Sequence, residues 1–444
     1  MAIEDDVLVI GGGLAGATAA LAAAERGVAV RLVSFKQSTL RHASGLIDVL
    51  GYGPDGGGPL AEPYDAIPDL PTGHPYERVG ADAVREALSF FDALAGDAYR
   101  GDHTETNALV PTSGGTVKPT ARYPAGAAAG VATDERPALL VGFDALPEFD
   151  APLAAEHLRA AGVPFDVRGV TLSFPGEFRD DAKITRYAHA LDRDEPISTN
   201  AGGRPARAAL ADAVSAHHRG EARIGVPAVL GDEFHEAVRT DLADRLGAAV
   251  FEVPTGPPSL PGLRLEDLLF DALESAGVRV TTGVPVVDHE VADGSGIART
   301  GGAAEAGESV DRIDRVLVDR GHRTVPYRAS EYVLATGGLV GKGVRSAREE
   351  IFEPIFDCHV RAPADRYDWS EPAAFGDHAF ARFGVAVDRD LRPLGGDGEP
   401  EFANLRAAGA VCGGYDYAAE KSGAGVSLAT GYVAGGRAGE VASG

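Results

Sequence analysis

Three short stretches of this chain carry residue types whose spacing could do chemistry. The first is Gly11-Gly12-Gly13-Leu14-Ala15-Gly16, a GxGxxG with one extra glycine. In such a run the first glycine permits a tight strand-to-helix turn, the second lets backbone N–H groups approach a pyrophosphate, and the third lets helix and strand pack closely. It follows an apolar run, Asp6 to Ile10, and opens an alanine-rich one, Leu14 to Arg26, the context that gives a glycine triplet meaning. The second is "YVLATGG", Tyr332 to Gly338, an apolar strand closing on Thr336 and Gly337. The third is the glycine bend Gly409 to Gly414, followed from Ser422 by "SGAGVSLATG". A helix starting there, with Gly423, Ala424, Gly425 and Val426 in its first turn, would stabilise negative charge on a bound ring near Gly414. The plainer alternative is that these glycines only pack.

Three such elements in this order predict a flavin-binding domain. A nicotinamide dehydrogenase carries the first without the C-terminal return. The second strand, Val28 to Val33, would normally end in a carboxylate for an adenosine ribose, but here Ser34 and Phe35 follow. A serine can exchange one hydrogen bond with a ribose and cannot supply a charge-assisted pair. The cofactor is therefore a flavin, either FAD or FMN, with Ser38, Ser44 and Gly45 as the approach to its ring.

The elements that must position these residues alternate strand and helix. After Gly51 to Gly73, a glycine- and proline-rich excursion, two strand-helix-strand units follow from Pro137 and Ala222. A helix from Glu266 to Ala276, valine-rich strands from Gly277 and a hairpin-like region lead into "SEYVLATGG". The fold class is α/β: a Rossmann-like doubly wound domain, of the FAD/NAD(P)-binding kind, assembled from discontinuous segments with an inserted α/β cap. The boundaries read as flavin-binding segments 1–70, 255–340 and 400–444, a cap at 71–254 and a cap-like or connecting segment at 341–399.

Bulk composition excludes several functions. The 444 residues hold 66 acidic against 41 basic side chains, a net charge of -25 that repels nucleic acid and anionic lipid. Only Lys36, Lys118, Lys183, Lys342 and Lys421 are lysines, a balance suited to a very salty cytoplasm. Cys358 and Cys412 lie far apart, so no metal or iron-sulfur site is expected on this chain. No signal segment or 18-residue apolar run is visible, and a cytoplasmic location is expected.

With these features in hand, the chain resembles the B subunit of the anaerobic, membrane-associated glycerol-3-phosphate dehydrogenase over nearly its whole length. The resemblance is carried by "GGGLAG" at Gly11, "QSTLRHASGLIDVL" at Gln37, "HPY" at His74, "VPTGPPSLPGLRL" at Val253, "LATGG" at Leu334 and "CGGYD...SGAGVSLATG" from Cys412. It implies a flavoprotein that partners a catalytic A subunit and an iron-sulfur C subunit. That assembly would oxidise sn-glycerol 3-phosphate to dihydroxyacetone phosphate, pass electrons to quinone, and meet the membrane only through a partner. Two other readings stay open: a self-sufficient flavoprotein of the fumarate-reductase type, which needs clustered arginines and a histidine, and a flavin-binding scaffold that assembles its partners without catalysis.

Oxidising such an alcohol needs a base for the hydroxyl proton, and a phosphate-bearing substrate needs Arg or Lys. Arg41 and His42, just before Ser44, are the leading catalytic candidates. His74, Arg186, His189 and Arg264 follow, with Lys421 and Arg345 as anion contacts.

Overall fold

In the computed structural model, residues 2–36, 38–176, 178–179, 182–199, 202–292 and 310–444 are described. Gln37, the first residue of one motif above, and most of the hairpin-like region, 293–309, lie outside them.

The N-terminal rhythm folds as β1 (Ile3–Ile10), α1 (Leu14–Ala24) and β2 (Val30–Ser34). β1 runs parallel to β2, with Ile10 opposite Val33, as a crossover through a helix requires. On its other side β1 is parallel to strand Thr324–Leu334, with Ile10 opposite Leu334. Strand Leu405–Ala407 pairs in parallel with the last three residues of that strand. Strand Arg279–Thr282 extends the sheet beyond β2, and the antiparallel pair Val286–Val291 and Ile313–Asp319 completes seven strands. The ends of β1, Thr324–Leu334 and Leu405–Ala407 thus lie side by side, bringing the three glycine stretches to one edge.

α1 is buried from Leu14 to Ala23, because the C-terminal helix Gly423–Ser443 packs closely along it. A methyl group at Gly435 would lie 2.0 Å from the Ala19 carbonyl oxygen, and one at Gly431 2.5 Å from that of Ala15. Small residues on both helices permit this approach and erase the usual apolar stripe from their sequences.

The cap is a four-stranded parallel sheet in the order Ala249–Val253, Arg223–Pro227, Ala138–Phe143, Val167–Leu172. Both faces are covered, which is why "ALLVGF" is apolar at every position rather than alternating.

Packing corrects the boundaries drawn from composition. Helices α2 (Pro75–Val79) and α3 (Ala81–Ala95) bury Tyr76, Val84, Leu88 and Phe91 in the first core, so the cap does not start at 71. Tyr64, Ile67 and Leu70 anchor the supposed surface excursion in the same core, as do Val344, Phe356 and Val385 for the segment 341–399. Helix Leu260–Ser275 bridges both cores, with Leu260 in the second and Leu265, Leu269 and Leu273 in the first. It begins before Glu266 because Ser259 Oγ accepts the Gly262 N–H at 3.3 Å and Pro261 suits a first helical turn.

Candidate functional site

The three glycine stretches divide their labour. A methyl group at Gly11, where φ is +122°, would lie 2.1 Å from the Ala335 carbonyl oxygen, and one at Gly16 1.9 Å from that of Gly11. The fold demands these two glycines. At Gly13 the nearest atom would be Thr39 Oγ1 at 4.0 Å, so open space lies before the helix. Gly13 is also the N-cap of α1, where no side chain caps the helix and its first turn carries no acidic residue. The first-turn amides are left for an outside acceptor, and an anionic pyrophosphate fits. Thr336 Oγ1, at the end of the neighbouring strand, is buried without a hydrogen-bond partner, a second unspent polar group at this edge. Thr39 was not singled out in the sequence, because nothing in a sequence shows that the turn after β2 folds back over Gly13.

Other expected contacts are partly spent. Ser34 is buried, donates its hydroxyl to the Lys36 carbonyl at 2.8 Å, and would crowd any side chain at Gly12. It retains only acceptor capacity toward a ribose. In the C-terminal helix the Gly425 N–H donates to the Asp48 carbonyl at 2.8 Å, and Gly425 and Val426 are buried against the chain. Gly423 and Ala424 remain half-buried and Gly414 exposed. The residues present therefore fit a flavin, which Gly12, Gly13, Leu14 and Ala15 would meet at its phosphates, with Thr336 and Gly337 beside them, and which Gly414, Gly423 and Ala424 would meet at its ring.

The stretch Ser38 to Gly45 packs on the N-terminus of helix Leu260–Ser275. A methyl group at Gly262 would sit 2.1 Å from the Leu40 carbonyl oxygen, and the Ser259 N–H donates to the Arg41 carbonyl at 3.2 Å. Ser38 Oγ accepts the Leu40 N–H at 3.1 Å, Ser44 Oγ accepts the Leu46 N–H at 3.4 Å, and the Gly45 carbonyl accepts the Tyr99 hydroxyl at 2.8 Å. Arg41 Nε pairs with Glu266 Oε2 at 2.5 Å, while His42 is exposed. Arg264 grips buried Glu252 with two hydrogen bonds, at 2.6 and 3.0 Å. Burial pushes the Glu252 carboxyl up, but the Arg264 charge and hydrogen bonds outweigh it and hold the group below its usual range.

All but one of the remaining candidates are also engaged. His74 caps α2, its Nδ1 accepting the Tyr76 N–H at 3.0 Å, which leaves the Nε2 proton to face Glu420 Oε2 at 3.1 Å. With both nitrogens held, it serves structure. Arg186 pairs with Glu195 at 2.7 Å, His189 faces Asp232 at 3.7 Å, the Lys421 ammonium donates to the Ala418 carbonyl, and Arg345 is exposed.

What no spacing in the sequence revealed is a cavity of about 390 Å³ at the Gly413–Gly414 turn, lined by Arg78, Arg361 and Arg382. Pairing of Val360–Arg361 with Gly384–Val385, and donation from Gly414 N–H to the Arg382 carbonyl at 3.0 Å, bring two of these arginines together. Arg78 comes from α2, which sits here because Gly414 lies close against Gly73. The clustering of arginines that the sequence did not display is thus present in the fold.

A family model described as "FAD binding domain" matches residues 6–426. The chain is 59% identical over 440 residues to the probable B subunit of an anaerobic glycerol-3-phosphate dehydrogenase from Halobacterium salinarum, covering 99% of each chain. It is 32% identical over 441 residues to the B subunit of the anaerobic glycerol-3-phosphate dehydrogenase of Pectobacterium atrosepticum, covering 95% of this chain and 96% of that one. The chain belongs to the family of anaerobic glycerol-3-phosphate dehydrogenase B subunits. As a member of this family it is a flavin-dependent oxidoreductase, with the α/β flavoprotein fold expected from its glycine turns. The Halobacterium relative accords with the acidic, lysine-poor composition. Among solved structures it is similar to the open conformation of a flavocytochrome c3 fumarate reductase, at 12% identity and a TM-score of 0.44 over 99% of this chain and 79% of that one. Within this family's motifs, "STLRHASG" from Ser38 and "PPSLPGL" turn out to be the two halves of one joint.

Proposed function

We propose that this chain is the flavoprotein component of a membrane-associated complex that oxidises sn-glycerol 3-phosphate to dihydroxyacetone phosphate. Its electrons leave through an iron-sulfur C subunit to quinone, and a catalytic A subunit completes the assembly. The observation that carries the reading is 59% identity over nearly the full length to a relative named as the B subunit of an anaerobic glycerol-3-phosphate dehydrogenase, on a chain whose α1 N-terminus stands open to a phosphate.

Converting the C2 alcohol to a ketone removes the hydroxyl proton and a hydride from carbon; a flavin, when bound, supplies the two-electron acceptor. The chain's own part is to hold and orient: α1 amides toward phosphates, and the Gly413–Gly414 turn with the exposed part of the C-terminal helix toward the ring. Among the described residues no group of three or more His, Cys, Asp or Glu side chains could hold a metal ion, and Cys358 and Cys412 are buried. This supports electron exit to a centre on another chain. No helix among the described residues is long and apolar enough to cross a membrane, which supports attachment through a partner.

The arginine cluster favours a second reading, a dehydrogenase of the fumarate-reductase type acting on a dicarboxylate. The test is the flavin spectrum of the purified chain, recorded in molar potassium chloride with glycerol 3-phosphate or succinate, alone and with the other subunits. Bleaching by glycerol 3-phosphate alone supports direct oxidation, and bleaching only in the assembled complex supports relay. Bleaching by succinate supports the second reading. A chain that holds no flavin overturns both and leaves a scaffold for its partners.

A further inference from the structure

We infer that the cavity at the Gly413–Gly414 turn is an anion site that takes the phosphate end of a three-carbon phosphate ester through Arg78, Arg361 and Arg382. The inference rests on the reading of glycerol 3-phosphate as substrate and assigns where this chain meets it.

The cavity, about 390 Å³, is of the size that encloses a small metabolite. Its three guanidiniums are unevenly committed. Arg361 has no acidic partner among the described residues. Arg382 pairs at 2.7 Å with Asp377, whose side chain is 71% exposed, so solvent already competes for that bond. Arg78 Nε is buried and makes no hydrogen bond, although Glu77 Oε2 lies 3.4 Å away. A buried guanidinium N–H without an acceptor is costly unless a ligand provides one, and a phosphate dianion offers three acceptor oxygens to such forks. The rest of the wall is largely apolar, with Pro363, Phe383 and Val387, which suits a short carbon chain behind a charged head.

Long-range attraction cannot account for anion capture here. The chain carries -25 overall, and in molar salt screening acts within about 3 Å. Only direct, desolvated contacts of the kind three arginines make would hold such a ligand. No lining side chain is a carboxylate or an imidazole, so the cavity grips the ligand without offering it a strong base.

The test is titration calorimetry of the flavin-loaded full chain in molar potassium chloride with sn-glycerol 3-phosphate, alongside Arg361→Ala and Arg382→Ala. Both positions are solvent-accessible, so flavin absorbance per chain and thermal midpoint should match the parent. Each substitution is expected to weaken binding at least tenfold, with Arg361→Lys recovering part of it; inorganic phosphate should compete and glycerol should not. Variants that titrate like the parent overturn the site, as does competition by succinate with none by phosphate. In the assembled complex, turnover of glycerol 3-phosphate with unchanged KM in both variants sinks the site and leaves the dehydrogenase reading standing. Arginine-dependent binding in a complex that never oxidises the ligand does the reverse.

Discussion

Two polar regions of this molecule are built in opposite ways. In the joint between Ser38–Gly45 and helix Leu260–Ser275, hydroxyls cap turns, carbonyls accept from the facing chain, and Arg41 and Arg264 are paired with Glu266 and Glu252. In the cavity at Gly413–Gly414, Arg361 is unpaired among the described residues and Arg78 Nε has no acceptor. The joint is built from two of the family's motifs, whereas the cavity's three arginines belong to none of the motifs quoted above and meet only at the Gly413–Gly414 turn, so the residues that identify the family and those proposed to grip an anion are largely separable here.

The hardest way to break the joint is steric. Gly262→Val would drive a side chain into the Leu40 and Ala43 carbonyl oxygens, 2.1 and 2.5 Å from the first added carbon. We expect a loss of about 4 kcal/mol or more, read as collapse of the thermal midpoint or failure to fold. Next is the charge beneath it. Glu252→Ala leaves Arg264 buried and unpaired and should cost about 3–5 kcal/mol in denaturant titration, whereas Glu252→Leu with Arg264→Met should recover most of that. A double variant as unstable as the single one would mean the pair is needed for more than neutrality.

The difference also explains what was legible in the sequence. Alternating strand and helix, and the glycines of the first turn, report local geometry, and they point to the parallel sheet that forms and to the strand ends where the three glycine stretches meet. The cavity needs three arginines far apart in the chain, brought together by a two-residue strand pair and a glycine contact between Gly414 and Gly73. Neither leaves a periodic trace. Arg41 and His42 are the leading candidates because they stand just before Ser44, but sequence proximity cannot show that Glu266, from a distant helix, occupies the Arg41 guanidinium. The domain boundaries slipped for the same reason. Tyr64 and Leu70 lie in a glycine- and proline-rich run, and only packing shows them in a core.

The segment that leads into Val360 and Arg361 should respond to pH in the opposite sense to the joint's Glu252–Arg264 pair, whose contribution is lost as pH falls. Burial pushes the Glu353 carboxyl from 4.5 up to about 7, partly opposed by the N–H groups of Phe356 and Ile355, which donate to it at 2.7 and 3.0 Å. A carboxyl raised in the folded state binds more protons there than in the unfolded chain. Its contribution is present below pH 4.5 and is lost as pH rises through 7, by roughly 3 kcal/mol at most. Glu353→Gln should flatten the stability profile between those values. A profile with the parent's slope would assign the pH dependence to another group.

The smallest expected effect draws the comparison most sharply. Arg41→Ala and Arg361→Ala each delete one solvent-accessible guanidinium, and a motif-based view would expect the first to matter for function. The packing argues otherwise. Arg41 is 38% exposed, but its loss takes the partner from the buried Glu266 carboxylate, so it should cost about 1–3 kcal/mol of stability and leave the affinity for glycerol 3-phosphate within about twofold of the parent. Arg361, with no acidic partner among the described residues, should show the converse: an unmoved thermal midpoint and weakened binding. Measured side by side, a tenfold loss of affinity in Arg41→Ala would place the ligand at the joint after all, because a side chain held only for structure has no route to a contact it never makes.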